Sequence, residues 1–366
     1  MLFKILLIIS IICLAILFIY YLYFLKLNWI KKTTIIFDKP VSVIICAKNE
    51  EMNLKNNLPL FLDQNYKNYE VIVVNDQSTD NTKLLLKKLQ NQYTNLKVVD
   101  IENHIHHKEG KKFALTLGIK TAKYEYLLLS DADCKPSSRN WISNISNNYT
   151  DSDIILGYGG YIKENSFLNK IIRYDTFNIA QQYFSFSLTG NTYMGVGRNI
   201  AYKKSIFFEN KGFASHIHLA SGDDDLFIQE VATRENVTIE IDPSTHTFSI
   251  PINKWKNWIY QKRRHITTSP LYKTKYKILL STYPLSNFLF WTSLILLFYL
   301  NSESIFPLIL LLCKLISTYL VNYKLMKKLN VLDLYWIHPL YEFVMLLIQV
   351  IFVLLNIISK PTKWKN

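Results

Sequence analysis

The chain of 366 residues is 49% hydrophobic and carries a formal net charge of +14. Much of that charge flanks long apolar segments, where anionic lipid head groups attract it, so a membrane surface and not nucleic acid is the expected partner. Its four cysteines show no CxxC spacing, which argues against a zinc site or a disulfide framework and agrees with a reducing compartment.

Leu2 to Leu25 is apolar apart from Lys4 and its flanks lack the small-residue cleavage site of a signal peptide, so residues 1–26 are expected to form a transmembrane anchor. Residues 38–252 have mixed composition, with no linker or repeat, and are expected to form one domain. Val41 to Ala47 reads as a strand and Leu54 to Leu62 as a helix, with Lys48-Asn49-Glu50-Glu51 between them. The same order recurs in Glu70 to Asn75, Asp76 to Asp80 and the helix Thr82 to Gln92, with Asp80 as an N-cap candidate. Lys97 to Asp100 is a third strand, Lys111 to Ala122 a third helix and Tyr126 to Ser130 a fourth strand, a buried one. Such alternation predicts a mainly parallel sheet with right-handed crossovers.

The ends of three of these strands carry polar or acidic residues: Lys48-Asn49-Glu50, Asp76, and Asp131 with Asp133. Ligands of open α/β sheets collect at that edge. Two acids one residue apart suit a hard divalent cation, which brings phosphates with it. Beyond the strands, a helix is predicted over Ser166 to Phe186. Gly190 to Tyr202 holds three glycines, read either as close backbone approach to a ligand or as a flexible turn. Asp223, Asp224 and Asp225 open a helical pattern from Leu226 to Thr233; a cap accounts for one acid and leaves two over. His104, His106 and His107 lie in a charged loop and are read as solvent-facing, not as metal ligands. His216 and His218 are read as surface residues with acceptor contact as the alternative, and His246 stays open.

Trp255 to His265 is a basic, aromatic helix, and residues 253–277 are expected to lie in the membrane interface. Its Gln261 and Arg264 share one helix face. Residues 278–366 form a C-terminal membrane region of about three helices, Ile278 to Leu300, Ile305 to Val321 and Trp336 to Ile358, the middle one interrupted by Pro307 and Lys314. Lys26, Lys31 and Lys32, the basic stretch Lys254 to Lys277, and Lys324, Lys327 and Lys328 place the middle domain on the cytoplasmic side. Lys360, Lys363 and Lys365 conflict with four full spans, so one segment is re-entrant or interfacial in the alternative topology.

In order along the chain stand VSVIICAKNE, VVNDQSTDNT, GKKFAL (Gly110 to Leu115), DAD, GDDDL and a Gln-X-X-Arg remnant. In this order the sequence resembles the family 2 inverting glycosyltransferases of GT-A fold, and more narrowly their membrane-embedded branch of cellulose and hyaluronan synthase-like enzymes. The resemblance covers about residues 41 to 265. It implies an α/β, Rossmann-like, mainly parallel GT-A sheet flanked by transmembrane helices, and Mg²⁺ or Mn²⁺ as cofactor. By that resemblance Ala47 and Glu50 line the nucleoside pocket, Asp76 holds base or ribose, Lys111 lies near the nucleotide, and Asp131 faces ribose or sugar. Asp133 is the implied metal ligand, Asp223 the general base with Asp224 its rival, and Gln261 and Arg264 belong to the acceptor and diphosphate side.

Two positions depart from the pattern: Gly222 stands where the family often has Glu, and His265 where processive members have Trp. The expectation is a membrane-bound enzyme at the cytoplasmic face of the cell (inner) membrane. It moves a sugar from a nucleotide-diphosphate sugar, UDP-linked, to a lipid-linked or membrane-proximal glycan acceptor of the cell envelope. The alternatives are a processive polysaccharide synthase, a non-catalytic nucleotide-sugar-binding membrane protein, and a nucleotidyltransferase. A sensor needs no general base, and a nucleotidyltransferase needs neither GDDDL nor Gln-X-X-Arg.

Overall fold

The structure, a computed structural model, describes residues 1–30, 33, 35–101, 110–219, 221–301 and 303–359. The three histidines His104, His106 and His107, together with Lys31, Lys32, Lys360, Lys363 and Lys365, lie outside the described residues. The described residues divide into two compact units, one within 33–164 and 190–252, the other within 1–30, 165–189 and 253–359.

In the first unit β1 (Val41–Ala47), β2 (Tyr69–Asp76), β3 (Leu96–Ile101) and β4 (Tyr126–Asp131) are mutually parallel, in the order β3-β2-β1-β4. Every residue of β1 is buried, because helices cover both faces of such a sheet and an unbroken apolar run is what that setting selects. In chain order α1 belongs to the second unit; α2 (Glu51–Leu62), α3 (Thr82–Gln90) and α4 (Lys111–Thr121) are the crossovers. Gly118 lets α4 lie flat on the sheet, since a Cβ there would stand 2.7 Å from the Ile44 Cγ2. These elements agree with the sequence reading to within a few residues.

The second half of the domain was not legible as strands. β5 (Cys134–Pro136), β6 (Ile154–Leu156), β7 (Gly159–Tyr161), β8 (Ile200–Lys203), β9 (Val237–Ile239) and β10 (Thr247–Ser249) are each three or four residues long, too short for alternation to register. β8 pairs antiparallel with both β4 and β6 and extends the main sheet to β3-β2-β1-β4-β8-β6-β9; β5, β10 and β7 form a small second sheet. Short helices α5 (Trp141–Ser146), α7 (Lys204–Glu209) and α8 (Asp225–Val231) complete the unit. Trp141 is fully buried edge-on to Phe61 at 5.3 Å and anchors α5 to the crossover α2.

The other unit is helical: α1 (Leu2–Leu25), α6 (Phe167–Ser187), α9 (Trp255–Ile266), α10 (Thr274–Leu300), α11 (Phe306–Lys328) and α12 (His338–Ile358). Ser166 caps α6 by accepting the Asn169 N–H. Among the described residues four helices are long and apolar enough to cross a membrane: Leu2–Trp29, Thr274–Leu300, Phe306–Lys328 and Leu332–Ile358. The charge interrupting α11 has a partner. Lys314, 1% exposed, meets Glu342 of α12 at 3.1 Å, Asn287 of α10 at 2.8 Å and Tyr21 of α1 at 2.5 Å.

Candidate active site

The strand order turns back between β1 and β4, which is where an open α/β sheet leaves a crevice at its carboxyl edge. Cys46 of β1 lies opposite Asp131 of β4 in register, and both line a small cavity with Lys111, Gly197, Asp223 and Asp224. Lys111 opens α4. Its Nζ lies 2.8 Å from Asp131 Oδ1 and 3.0 Å from Asp223 Oδ2. Burial disfavours the ammonium, but the carboxylates of Asp131, Asp223 and Asp224 outweigh that and hold its pKa well above the usual lysine value.

The same cation separates the two neighbouring aspartates. Burial pushes Asp223 up, but the adjoining Lys111 ammonium prevails and holds its carboxyl below the usual range. Asp224 is pushed up to about 7 by burial and by the charges of Asp223 and Asp225; its Oδ2 accepts the Gly197 N–H at 2.8 Å. The N-cap position of α8 is Asp224, yet its side chain makes no capping bond; Asp225 Oδ1 instead accepts the Leu226 N–H at 2.8 Å. The cap expected among the three acids is therefore not supplied by Asp224.

Asp131 and Asp133 flank Ala132 at the β4–β5 corner. Asp133 is pushed up to about 6, by burial first and by the Asp131 charge second. Its Oδ1 accepts long contacts from the weak donor Cys134 Sγ at 3.6 Å and from Ser249 Oγ at 3.5 Å. Among the described residues no three His, Cys, Asp or Glu side chains gather to hold a metal by themselves. The carboxylates of Asp131 and Asp133 are hard oxygen donors of the kind that a divalent cation shared with substrate phosphates takes.

The loops after β1 and β2 are stitched together. Asn49, in the left-handed region at φ 55°, accepts the Thr79 N–H at 2.8 Å, and its own N–H reaches Ser78 Oγ at 2.9 Å. Glu50 N–H donates to Thr82 Oγ1 at 3.0 Å. Asp80 accepts from Thr82 N and Glu51 N, so it ties the starts of two helices together. Ala47, Glu50 and Asp76 thus stand at adjoining strand ends, with Asp76 buried.

Gln261 and Arg264 lie on α9, in the other unit. His216 is buried, not at the surface, and its carbonyl accepts the Lys112 ammonium at 2.5 Å, while His218 is exposed. His246 is a core residue stacked edge-on to Tyr158 at 4.9 Å, its pKa pushed down to about 4 by burial.

Two residues of the site were missed. Gly197 adjoins the Lys111, Asp224 and Asp223 side chains: a Cβ there would sit 3.1 Å from Lys111 Nζ. Arg198 packs its guanidinium 4.3 Å from the Tyr161 ring and donates to Gly160 O at 3.1 Å, while its carbonyl accepts from Ser130 and Thr247. Its charge acts on both Asp131 and Asp133. Only its place inside the glycine run could have marked it.

A mainly parallel α/β sheet of this order, with acids gathered at its switch point, has the architecture of the GT-A fold. Residues 42–209 match the glycosyl transferase family 2 model. The chain carries this match over a little under half of its length. It is 34% identical over 93 residues to a poly-beta-1,6-N-acetyl-D-glucosamine synthase of Staphylococcus epidermidis, a match covering 25% of this chain and 21% of the relative. To a dolichyl N-acetyl-alpha-D-glucosaminyl phosphate 3-beta-D-2,3-diacetamido-2,3-dideoxy-beta-D-glucuronosyltransferase of Methanococcus voltae it is 28% identical over 175 residues, 46% of this chain and 50% of the relative. The chain thus spans half or less of these curated relatives. The fold matches a mannosyltransferase of Pyrobaculum calidifontis, solved with GDP-Man and Mn²⁺, at a TM-score of 0.58 and 17% identity, over 93% of this chain and 99% of that one.

Proposed function

We propose that the protein is a membrane-bound inverting glycosyltransferase. It moves a sugar from a nucleotide-diphosphate sugar, UDP-linked, to a lipid-linked or membrane-proximal acceptor at the cytoplasmic face of the inner membrane. The observation that carries this reading is the Lys111 ammonium shared by Asp131 and Asp223, which sets a donor-side carboxylate and a candidate base against one cation. Asp223 takes the proton of the acceptor hydroxyl, the freed oxygen forms its bond to the anomeric carbon, and the bond to the diphosphate oxygen breaks with its electron pair. Direct displacement inverts the anomeric centre.

Ala47, Glu50 and Asp76 hold the nucleoside and Asp131 the ribose or sugar. Gln261 and Arg264 serve the diphosphate and acceptor side, where a guanidinium fork suits phosphate oxygens. Asp133 is the residue that would hold Mg²⁺ or Mn²⁺, and a cation bound there supplies Lewis-acid neutralisation of the diphosphate. The four long apolar helices, and the lipid phosphate in the name of the Methanococcus relative, support an acceptor close to the membrane.

The test uses full-length protein in detergent with Mn²⁺, a panel of nucleotide sugars and a lipid-phosphate acceptor. Asp223→Ala should retain donor binding and lose transfer; near-normal transfer by that variant would remove Asp223 as base. Similarity to the poly-N-acetylglucosamine synthase favours a second reading, a processive polymerase. Products longer than one added sugar per acceptor would select it.

A further inference from the structure

One face of helix α9 carries a set of anchors within its own unit. Lys262 forms an ion pair with Asp175 of α6, a carboxylate 6% exposed. The next residue, Arg263, donates from Nε to Asn356 Oδ1 at 2.9 Å and from Nη2 to Leu355 O at 2.9 Å and Ser359 Oγ at 3.0 Å, all at the end of α12. Asn356 returns a bond from Nδ2 to the Arg263 carbonyl at 3.1 Å. One turn earlier, Trp258 is 1% exposed and packs edge-on to Phe352 of α12 at 5.6 Å.

With about 100° per residue, Lys262 and Arg263 stand roughly 100° and 200° around the helix from Gln261, and Arg264 roughly 300°. The direction midway between the two anchors is therefore opposite the direction midway between Gln261 and Arg264. Fixing one pair fixes the rotation of the other.

We infer that Asp175 and Asn356 are positioning residues: through Lys262 and Arg263 they set the rotation of α9 and so aim Gln261 and Arg264. This rests on the reading of Arg264 as a diphosphate-side residue. It makes two distant pieces of chain, the insertion between β7 and β8 and the end of the last long helix, part of the transfer machinery. The basic doublet is thereby separated from the general lipid attraction that its charge alone suggests.

The experiment measures binding of UDP and of GDP, each with Mn²⁺, and transfer from the matching nucleotide sugars, on full-length protein in detergent. Arg264→Met is the reference and should weaken the tighter nucleotide at least tenfold. Asn356→Leu and Asp175→Asn should each weaken it at least fivefold, and Asn356→Asp, which still accepts from Arg263, should stay within twofold of the parent. Asp175→Lys combined with Lys262→Asp restores the pair with charges reversed and should recover binding to within threefold.

If Arg264→Met binds normally, the diphosphate reading of Arg264 fails. If Arg264→Met is impaired while Asn356→Leu and Asp175→Asn bind and transfer like the parent, the positioning role is overturned. Failure of both rescues at an unchanged melting temperature overturns it as well. Loss of fold in the single variants alone is separated from loss of aim by the two rescue variants.

Discussion

Lys111 Nζ sits 3.0 Å from Asp223 Oδ2, with Asp131 2.8 Å away on the same ammonium. The lysine fixes where a carboxylate from the third quarter of the chain stands relative to a strand end in the first half. Lys111→Met leaves the aspartates without their shared cation. Breaking such a buried pair costs about 3–5 kcal/mol, so a marked fall in melting temperature together with loss of transfer is expected. Thermal unfolding followed by circular dichroism measures the first, and Lys111→Arg should recover part of both.

The opposed environments of Asp223 and Asp224 make the choice of base a question of pH. A general base works only when deprotonated, so the rate climbs with pH through its pKa. Asp223 is held below the usual carboxylate value of about 3.9, so at saturating Mn²⁺ kcat/KM should be flat from about pH 5 to neutrality as far as this group is concerned. With Asp224 as base the rise would instead be centred at about 7. Asp223→Asn should lose about 10²–10⁴ in kcat, whereas Asp224→Asn keeps an oxygen for the Gly197 N–H and should stay within about tenfold.

With Asp133 as the proposed ligand of the divalent cation, a proton and the cation compete for its carboxylate. Its pKa, raised to about 6, means that Mn²⁺ affinity in the presence of nucleotide should fall by about tenfold per unit as pH drops below that value. Asp133→Ala should abolish nucleotide-dependent Mn²⁺ binding. Titration followed by the paramagnetic signal of Mn²⁺ reads both effects, and a pH-independent affinity would remove Asp133 as ligand.

The Lys314–Glu342 pair makes an asymmetric prediction. Glu342→Leu alone strands a buried ammonium and should cost about 3–5 kcal/mol, while Lys314→Met with Glu342→Leu together should be close to neutral or stabilising. Thermal stability of the three proteins in one detergent checks it. Equal loss in the single and double variants would show that the pair contributes nothing beyond its separate charges.

The strands β1, β2 and β4 were readable because each is an apolar run long enough to be covered on both faces, and the residue that ends the run marks the sheet edge. Asp76, Asp131 and Asp133 followed from that alone. β5 to β10 were not readable, since three residues carry no period. Without β8 and the Gly197 turn before it, the cavity behind Asp131 has no second wall. Arg198 was hidden for the same reason, because its meaning depends on Tyr161 and the Asp133 corner, which only the folded chain brings beside it.

By itself the sequence determined the α/β alternation, the acids at the strand ends and the four apolar helices. These are local properties, written in burial period and in motifs a few residues long. Only the tertiary structure decided that Lys111 joins Asp131 to Asp223, that Asp224 turns to Gly197 instead of capping its helix, that His216 is interior, and that Lys314 finds Glu342. A charge is equally at home beside any opposite charge within reach, and which one is within reach depends on how the elements pack.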